Sequence, residues 1–293
     1  MTKTKTAKTR DKAFDGLDLV EADDVRGRSI CFLGRTGMGK TTLVSNFPNA
    51  VILPAAHEQG AAELKAAGIL PDVRQMRAWV THYDLLSRIN EFAEWAESFK
   101  GQTTLVIETV QHVVEAALRQ CLQDDFAGND SKKEGGFNHY GAGTAKTKTD
   151  YLQPLRDRLD QLRDEGVHIV FTGHTDRREQ KNPHGDDFVV EGVTDITEKL
   201  WKVFEKWAEC VLLYTFEIKT EEGKGFDAAK AKSGTRVILG HLTPTFDGKT
   251  RWGLAETVYE QSADDEPDVD GSEMYAHFCK IAGIDPATLR HVD

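Results

Sequence analysis

The stretch Arg28–Val44, RSICFLGRTGMGKTTLV, indicates the fold class of this chain. An apolar run, Ile30–Leu33, precedes a glycine-rich loop that ends in a lysine and two threonines, and an apolar helical pattern follows. The pattern G-x-x-x-x-G-K-[ST] between a strand and a helix is typical of a phosphate-binding loop, whose backbone N–H groups turn inward around phosphate oxygens. It predicts a nucleotide site formed by Gly34, Arg35, Thr36, Gly37, Met38, Gly39, Lys40, Thr41 and Thr42.

The roles of three residues follow from this motif, and they predict ATP with Mg²⁺ as the bound species. We expect Lys40 to reach the β- and γ-phosphates and the Thr41 hydroxyl to ligate Mg²⁺. Glu108 ends the apolar strand Leu105–Ile107, where P-loop proteins place an acid that holds the Mg²⁺ shell. A solvated acid at a strand end is the alternative for Glu108.

Two further residues at predicted strand ends are candidates for catalysis. Glu58 follows the short strand Val51–Leu53 beside His57, so it is the best placed acid to orient an attacking water. An ordinary exposed loop acid is the alternative. His174 ends the strand VHIVFTGH and could hydrogen-bond the γ-phosphate, although a structural histidine at a strand end is the other interpretation.

Composition limits the class of protein. The chain has 293 residues, a hydrophobic share of 39% and a net charge of −11, which favours a folded protein and argues against a uniformly basic nucleic-acid surface. We find no apolar run of 18 residues and no secretory signal, and the scattered cysteines show no CxxC spacing, which predicts a cytoplasmic protein without a membrane span. The expected organisation is a basic flexible tail (1–26), an ATP-binding domain (27–260), an acidic linker (261–273) and a short helical segment (274–293).

The order of elements predicts an α/β fold. Continuous apolar strands alternate with amphipathic helices, which indicates a mostly parallel sheet covered on both faces. A strand is expected at Gln75–Val80, and a helix at Leu152–Leu162 with Pro154 in its first turn. Later segments such as CVLLYTFEI and TRVILGHL have the pattern of strands joined by hairpins, so antiparallel strands should extend the sheet at the C-terminal end.

These motifs together resemble a known family. GRTGMGKTT, VILPAAHEQG, LVIET and IVFTGHTDRR stand in order, followed by TEKLWKVFEKWAECVLLYTFE and FDGKTRWGL. The arrangement resembles the phage-borne family of RecA-like ATP-binding proteins, some of them described as single-strand annealing recombinases, over roughly residues 28–256. The resemblance implies a RecA-like P-loop core, Glu108 as the Mg²⁺ acid and His174 as the γ-phosphate sensor. It also implies DNA-stimulated ATP hydrolysis in a homo-oligomer, ring or filament, with single-stranded DNA and a single-strand binding protein as partners.

In RecA-like proteins two loops contact single-stranded DNA, and two segments here match them. Cations track phosphates while aromatic rings stack on bases, which is the chemistry that sequence-independent binding requires. Solvated lysines on glycine-rich loops are the alternative. The candidate DNA-binding residues are Lys132, Lys133, Phe137, Tyr140, Lys146, Lys148, Arg177, Arg178 and Lys181.

Lys249 and Arg251, in GKTRWG, resemble the segment that supplies cations to the neighbouring subunit's nucleotide site. An ordinary hairpin turn with two solvated cations is equally compatible with the sequence.

Two other functions remain open at this stage. A P-loop kinase for a small molecule could use Arg177 and Arg178 as lid arginines. A nucleotide-gated binding module with little hydrolysis is the third possibility, because the metal acid is glutamate where the family has aspartate.

Overall fold

A computed structural model describes most of the chain. The described residues are 26–70, 72–98, 103–181, 188–217, 220–221, 230–231, 235–240, 242–243, 246–251, 257–261, 272–273, 275–276 and 279. The predicted tail lies outside this range except for Arg26, and so does most of the predicted acidic linker.

The described residues form a nine-stranded sheet and two short hairpins. The strands of the large sheet are β1 (Ser29–Gly34), β2 (Ala50–Pro54), β3 (Arg74–Gln75), β4 (Thr104–Glu108), β5 (His168–Gln180), β6 (Phe188–Val193), β7 (Cys210–Glu217), β10 (Thr235–Leu239) and β13 (Thr257–Gln261). The hairpins are β8 (Thr220–Glu221) with β9 (Lys230–Ala231), and β11 (Leu242–Thr243) with β12 (Phe246–Asp247).

The strand order is β13-β10-β7-β1-β5-β4-β2-β3. The strands from β7 to β3 are parallel, so their carboxyl ends meet at one edge of the sheet. β10 and β13 are antiparallel additions next to β7. β5 continues beyond the sheet, where Thr175–Gln180 pairs with β6 in an antiparallel arm.

Helices cover both faces of the sheet. They are α1 (Lys40–Val44), α2 (Gly60–Ala66), α3 (His82–Ser98), α4 (Val110–Phe126), α5 (Ala142–Lys146), α6 (Gln153–Asp164) and α7 (Glu198–Trp207). α3 begins with reciprocal caps: the Thr81 N–H donates to the Asp84 carboxylate at 3.0 Å, and the Asp84 N–H donates to the Thr81 hydroxyl at 3.1 Å. These bonds satisfy backbone donors that the first turn of a helix leaves open.

The core lies on both sides of the sheet because successive strand residues point to opposite faces. In β1, Cys31 and Leu33 belong to the larger apolar cluster, whereas Ile30 and Phe32 belong to the other. A strand buried on both faces is continuously apolar, which is the pattern seen in the sequence. The predicted fold class is confirmed in its architecture: an α/β fold with a mostly parallel sheet flanked by helices and antiparallel strands at the C-terminal end.

Two predicted elements differ from the structure. β3 is limited to Arg74–Gln75, not Gln75–Val80. The helix predicted from Leu152 begins ten residues earlier, because a π-helical turn, Thr147–Leu152, joins α5 to α6 just before Pro154. Pro154 has no backbone N–H to donate, and it is tolerated here because the regular α-helical hydrogen-bond pattern is interrupted at the π-helical turn.

In the predicted C-terminal segment, Tyr275 is described as helical, and its ring centre lies 5.0 Å from that of Phe47. No described helix is long and apolar enough to cross a membrane.

Candidate functional site

The phosphate-binding loop connects β1 to α1 at the carboxyl edge of the parallel strands. Gly34 ends β1 against β7, and a Cβ on it would lie 2.3 Å from the Tyr214 carbonyl oxygen, so only glycine fits there. Gly37 (φ 80°) and Gly39 (φ 93°) adopt left-handed backbone that side chains disfavour. The glycine pattern found in the sequence therefore corresponds to the shape that a phosphate cradle requires.

Lys40 is buried beneath this loop. Its Nζ donates to the carbonyl oxygens of Gly34 at 2.9 Å and Arg35 at 3.0 Å, and it lies 3.4 Å from Nδ1 of His174. Burial lowers the pKa of Lys40 to about 8, against the opposing attraction of Glu108 and Glu58. A phosphate group would supply the negative charge that favours the protonated amine.

Thr41 and Glu108 face each other across the start of α1 and the end of β4. The Thr41 hydroxyl donates to Glu108 Oε1 at 2.7 Å. Burial raises the pKa of Glu108, while the Thr41 hydrogen bond opposes that shift. A hydroxyl and a carboxylate are hard oxygen donors of the kind that Mg²⁺ takes together with substrate phosphates, so these residues fit the predicted ion.

Glu58 lies in the loop after β2 between two histidines. Its Oε1 is 3.4 Å from His112 Nδ1 and 3.8 Å from His174 Nε2. The contact with His174 lowers the pKa of Glu58, and burial opposes the shift. Glu58 is therefore the ionised acid of the site, and Glu108 is the buried one whose proton is harder to remove.

One cavity of about 700 Å³ brings these side chains together. Its walls come from the phosphate-binding loop, the loop after β2, α2, and the ends of β4 and β5. All four predicted catalytic residues, Lys40, Glu58, Glu108 and His174, line it. The geometry suits a triphosphate whose terminal phosphate faces an ionised carboxylate.

His112 is a site residue that the sequence analysis missed. It lies in the first turns of α4, four residues after Glu108, and its ring centre is 6.4 Å from that of His57. The sequence did offer one signal: His112 comes only four residues after Glu108, the acid that ends β4, and α4 begins at Val110. Residues of that first turn must lie at the same edge of the sheet as the acid.

The first candidate DNA segment, residues 131–148, follows α4. Tyr140 is 99% exposed, and Lys132, Lys133 and Lys148 are also exposed. Lys146, in contrast, lies 3.2 Å from Asp125 and 2.7 Å from Asp150, so two carboxylates already hold its charge.

Phe137 is wrong as a base-stacking candidate. It is 9% exposed, and its ring centre lies 5.3 Å from that of Phe126 in the core. A Cβ added to Gly143 would come 2.3 Å from this ring, which shows how closely the helix packs over it. Phe137 therefore anchors the segment and does not present a face to a base.

The second candidate segment forms the arm of β5 and β6. Arg177 Nε lies 3.2 Å from Glu191, and Arg178 donates to the Val193 carbonyl oxygen at 2.6 Å. Lys181 is exposed beyond the end of β5. The two arginines thus brace the arm and are less available to phosphates than the sequence suggested.

Lys249, predicted to reach a neighbouring subunit, makes its contacts within its own chain. Its Nζ donates to the carbonyl oxygens of Glu205 at 3.1 Å, Lys206 at 2.9 Å and Ala208 at 2.5 Å. These are carbonyls of the last turn of α7, which need partners and carry negative partial charge. Lys249 is a helix cap, and Arg251, which is exposed, is the remaining cation of that pair.

Comparison with known proteins gives a family match and similarities to solved structures. The matching family model is described as "AAA domain" and covers residues 26–252, a range that contains every candidate site residue. No curated protein matches the chain. The chain is similar to a solved structure whose title describes it as an ATPase domain, with 13% identity, a TM-score of 0.40, and coverage of 80% of this chain and 81% of that one.

Proposed function

Since the chain belongs to the AAA-domain family, we propose that it is a Mg²⁺-dependent ATPase that binds single-stranded DNA and promotes annealing or strand exchange. We further propose that it works as a homo-oligomer of the phage recombination type, in a ring or filament, alongside a single-strand binding protein. The observation that carries the ATPase part is the convergence of Lys40, Thr41, Glu58 and Glu108 on one cavity.

The proposed reaction is hydrolysis of the γ-phosphate. Glu58, ionised because its pKa is lowered, accepts a proton from a water whose oxygen forms the new bond to phosphorus, and ADP leaves. Lys40 contacts the β- and γ-phosphates and stabilises charge that develops there. Thr41 and Glu108 would hold Mg²⁺, which when bound neutralises charge on the phosphate oxygens.

The DNA part of the proposal is supported by the segment that carries Tyr140. A fully exposed aromatic ring in the same segment as the exposed Lys132 and Lys133 supplies a stacking surface together with two cations. The same geometry gives little support to a small-molecule kinase. The arginines that a kinase lid would require, Arg177 and Arg178, are held within the β5–β6 arm.

The decisive experiment measures ATP turnover with and without single-stranded DNA. We expect turnover to require Mg²⁺, to fall steeply but measurably in Glu58→Gln, and to rise with DNA. Tyr140→Ala should keep DNA-free turnover and weaken DNA binding about tenfold, as expected for the loss of one stacked base, while Tyr140→Phe should bind nearly as the wild type does.

Lys199→Ala, at an exposed lysine on α7, is the matched surface control and should change neither turnover nor DNA binding. ATP binding without turnover would instead favour a nucleotide-gated binding module. Turnover that DNA neither stimulates nor competes with would contradict the DNA part.

A further inference from the structure

We propose that His112 is a positioning residue that, together with His174, holds one oxygen of the Glu58 carboxylate and leaves the other oxygen to take the proton from the attacking water. This inference rests on the proposed ATPase function, in which Glu58 is the base. It gives α4 a role in catalysis, the orientation of the Glu58 carboxylate, which is separate from phosphate binding by the loop and from metal binding by Glu108.

The contacts converge on a single atom. Oε1 of Glu58 is 3.4 Å from His112 Nδ1 and 3.8 Å from His174 Nε2. The side chains of Glu58, His112 and His174 are 22%, 26% and 30% exposed, so the cluster is partly shielded from bulk water. Glu58 and His174 line the cavity, and His112 lies behind Glu58. These distances are longer than hydrogen bonds, and contacts of this kind commonly tighten when substrate binds.

The neighbours of His174 determine which of its nitrogens carries the proton. Nδ1 lies 3.4 Å from the ammonium of Lys40, and an ammonium can only donate. Nδ1 must therefore accept, which leaves the proton on Nε2. That N–H faces Glu58 Oε1, which as a carboxylate oxygen can only accept. His174 thus links the phosphate-binding lysine to the base.

The same reasoning applies to His112. Its Nδ1 lies 3.4 Å from Glu58 and 3.2 Å from the Thr109 hydroxyl. A hydroxyl can donate or accept, whereas the carboxylate can only accept, so the arrangement that satisfies both places the proton on Nδ1. Thr109 then orients the imidazole at the start of α4, directly after Glu108.

The consequence is a defined orientation for the carboxylate. Both imidazole nitrogens approach Oε1 within 4 Å, so among the described residues Oε2 is the oxygen left for a water molecule. A base that could rotate freely would spend part of its time misdirected, and a misplacement of about 1 Å in an active site can cost about 100-fold in rate. His112 would supply this restraint before substrate binds.

The test compares steady-state ATP turnover of the full chain in four proteins: wild type, His112→Ala, His112→Asn and Glu58→Gln. We expect His112→Ala to lower kcat at least tenfold with KM for ATP unchanged within about twofold. Asparagine places an amide N–H near the position of Nδ1, so His112→Asn should recover most of kcat. Glu115→Ala, on the same helix and paired with Arg119, is the control and should match the wild type.

A double variant separates positioning from a general loss of structure. Once the base is removed, orienting it has no value, so His112→Ala/Glu58→Gln should be no slower than Glu58→Gln alone. Thermal unfolding and binding of a fluorescent ATP analogue report the fold of each variant. If His112→Ala does not fold, His112→Phe, which keeps a ring but has no N–H, takes its place.

Retention of full kcat in His112→Ala, or a further drop in the double variant, would overturn the role of His112 while leaving the ATPase intact. A wild-type protein without turnover, or a Glu58→Gln variant as active as the wild type, would instead overturn the proposed function itself.

Discussion

Among the side chains of the candidate site, two glutamates have opposite properties. The pKa of Glu58 is lowered by its contact with His174, whereas the pKa of Glu108 is raised by burial. Acids whose environments push their pKa values apart commonly divide two roles in one site. We assign proton transfer to Glu58, and we assign to Glu108 a role that a bound cation would support by favouring its charged form.

Glu108→Gln tests the metal assignment. The amide keeps the size of the side chain and can still accept from Thr41, but it carries no charge for a cation. We expect Mg²⁺-dependent turnover to fall at least tenfold, while nucleotide binding measured in the presence of a chelator changes little. Equal Mg²⁺ dependence in the variant and the wild type would remove Glu108 from the metal site.

The burial of His168 predicts how the stability of the protein depends on pH. It is buried at the start of β5, where its Nδ1 accepts from the Arg28 backbone N–H at 3.0 Å, and burial lowers its pKa to about 4. In the unfolded chain the histidine binds a proton near pH 6.5, so the unfolded state holds more protons between these values. Stability should therefore fall as the pH falls from about 6.5 towards 4.

Urea unfolding at pH 7 and pH 5 checks this. His168→Asn keeps an acceptor for the Arg28 N–H but does not titrate. Between pH 7 and pH 5 its free energy of unfolding should therefore fall by about 2 kcal/mol less than that of the wild type. His82 is also buried, with its pKa lowered to about 4, and it contributes equally to the pH dependence of stability in both proteins. The same pH dependence in both proteins would contradict the assignment.

At the scale of strands, helices and loops, the features that depend on short local patterns could be predicted from the sequence. The phosphate-binding loop, the parallel strands and the position of Glu108 all follow from short motifs and from the rule that carboxyl ends meet at one edge. Phe137 and Lys249 could not be placed in this way. The partners of Lys249 are carbonyls some 40 residues earlier, and Phe137 is buried by a helix that begins after a loop of unpredictable path.

Lys249→Ala tests the capping role at the end of α7. Its removal leaves three helix-end carbonyls without their cation, so we expect a loss of about 1–3 kcal/mol in the free energy of unfolding. Arg251→Ala should leave stability nearly unchanged, because Arg251 is exposed. Denaturant unfolding of both variants measures the difference. Equal stability losses would contradict the distinct roles given to these neighbours.

Across the protein as a whole, His174 lies in the nucleotide site and is connected to both candidate DNA segments, to one along β5 and to the other through α4. β5 runs without interruption from His174 into the arm that carries Arg177. From the other side, Gln111 on α4 donates to the His174 carbonyl oxygen at 2.7 Å, and α4 ends at Phe126 against the segment that carries Tyr140. A movement of His174 in response to phosphate would reach the arm along β5, and the other segment through the Gln111 hydrogen bond and α4.

This arrangement predicts reciprocal coupling between ATP and single-stranded DNA. If ATP raises the affinity for DNA by some factor, DNA must raise the affinity for ATP by the same factor. Gln111→Ala removes the contact between α4 and His174, so we expect it to reduce that factor in both directions while ATP affinity without DNA stays nearly unchanged. Gln120→Ala, on the exposed side of the same helix where Gln120 contacts Asp124, is the control.

Salt dependence distinguishes this coupling from a simple loss of DNA contacts. Binding of single strands weakens with salt by a log–log slope of about −0.7 per phosphate neutralised, so replacing Lys132 and Lys133 by alanine should make the slope shallower by about 1.4. Gln111 is not one of the proposed phosphate contacts, so Gln111→Ala should leave the salt slope of DNA binding unchanged while it lowers the coupling factor between ATP and DNA. Fluorescence titrations of labelled single-stranded DNA with ATP, with ADP and without nucleotide supply both quantities. If the wild type binds DNA equally in all three conditions, β5 and α4 carry no signal from the nucleotide, and the strand-exchange proposal loses its mechanism.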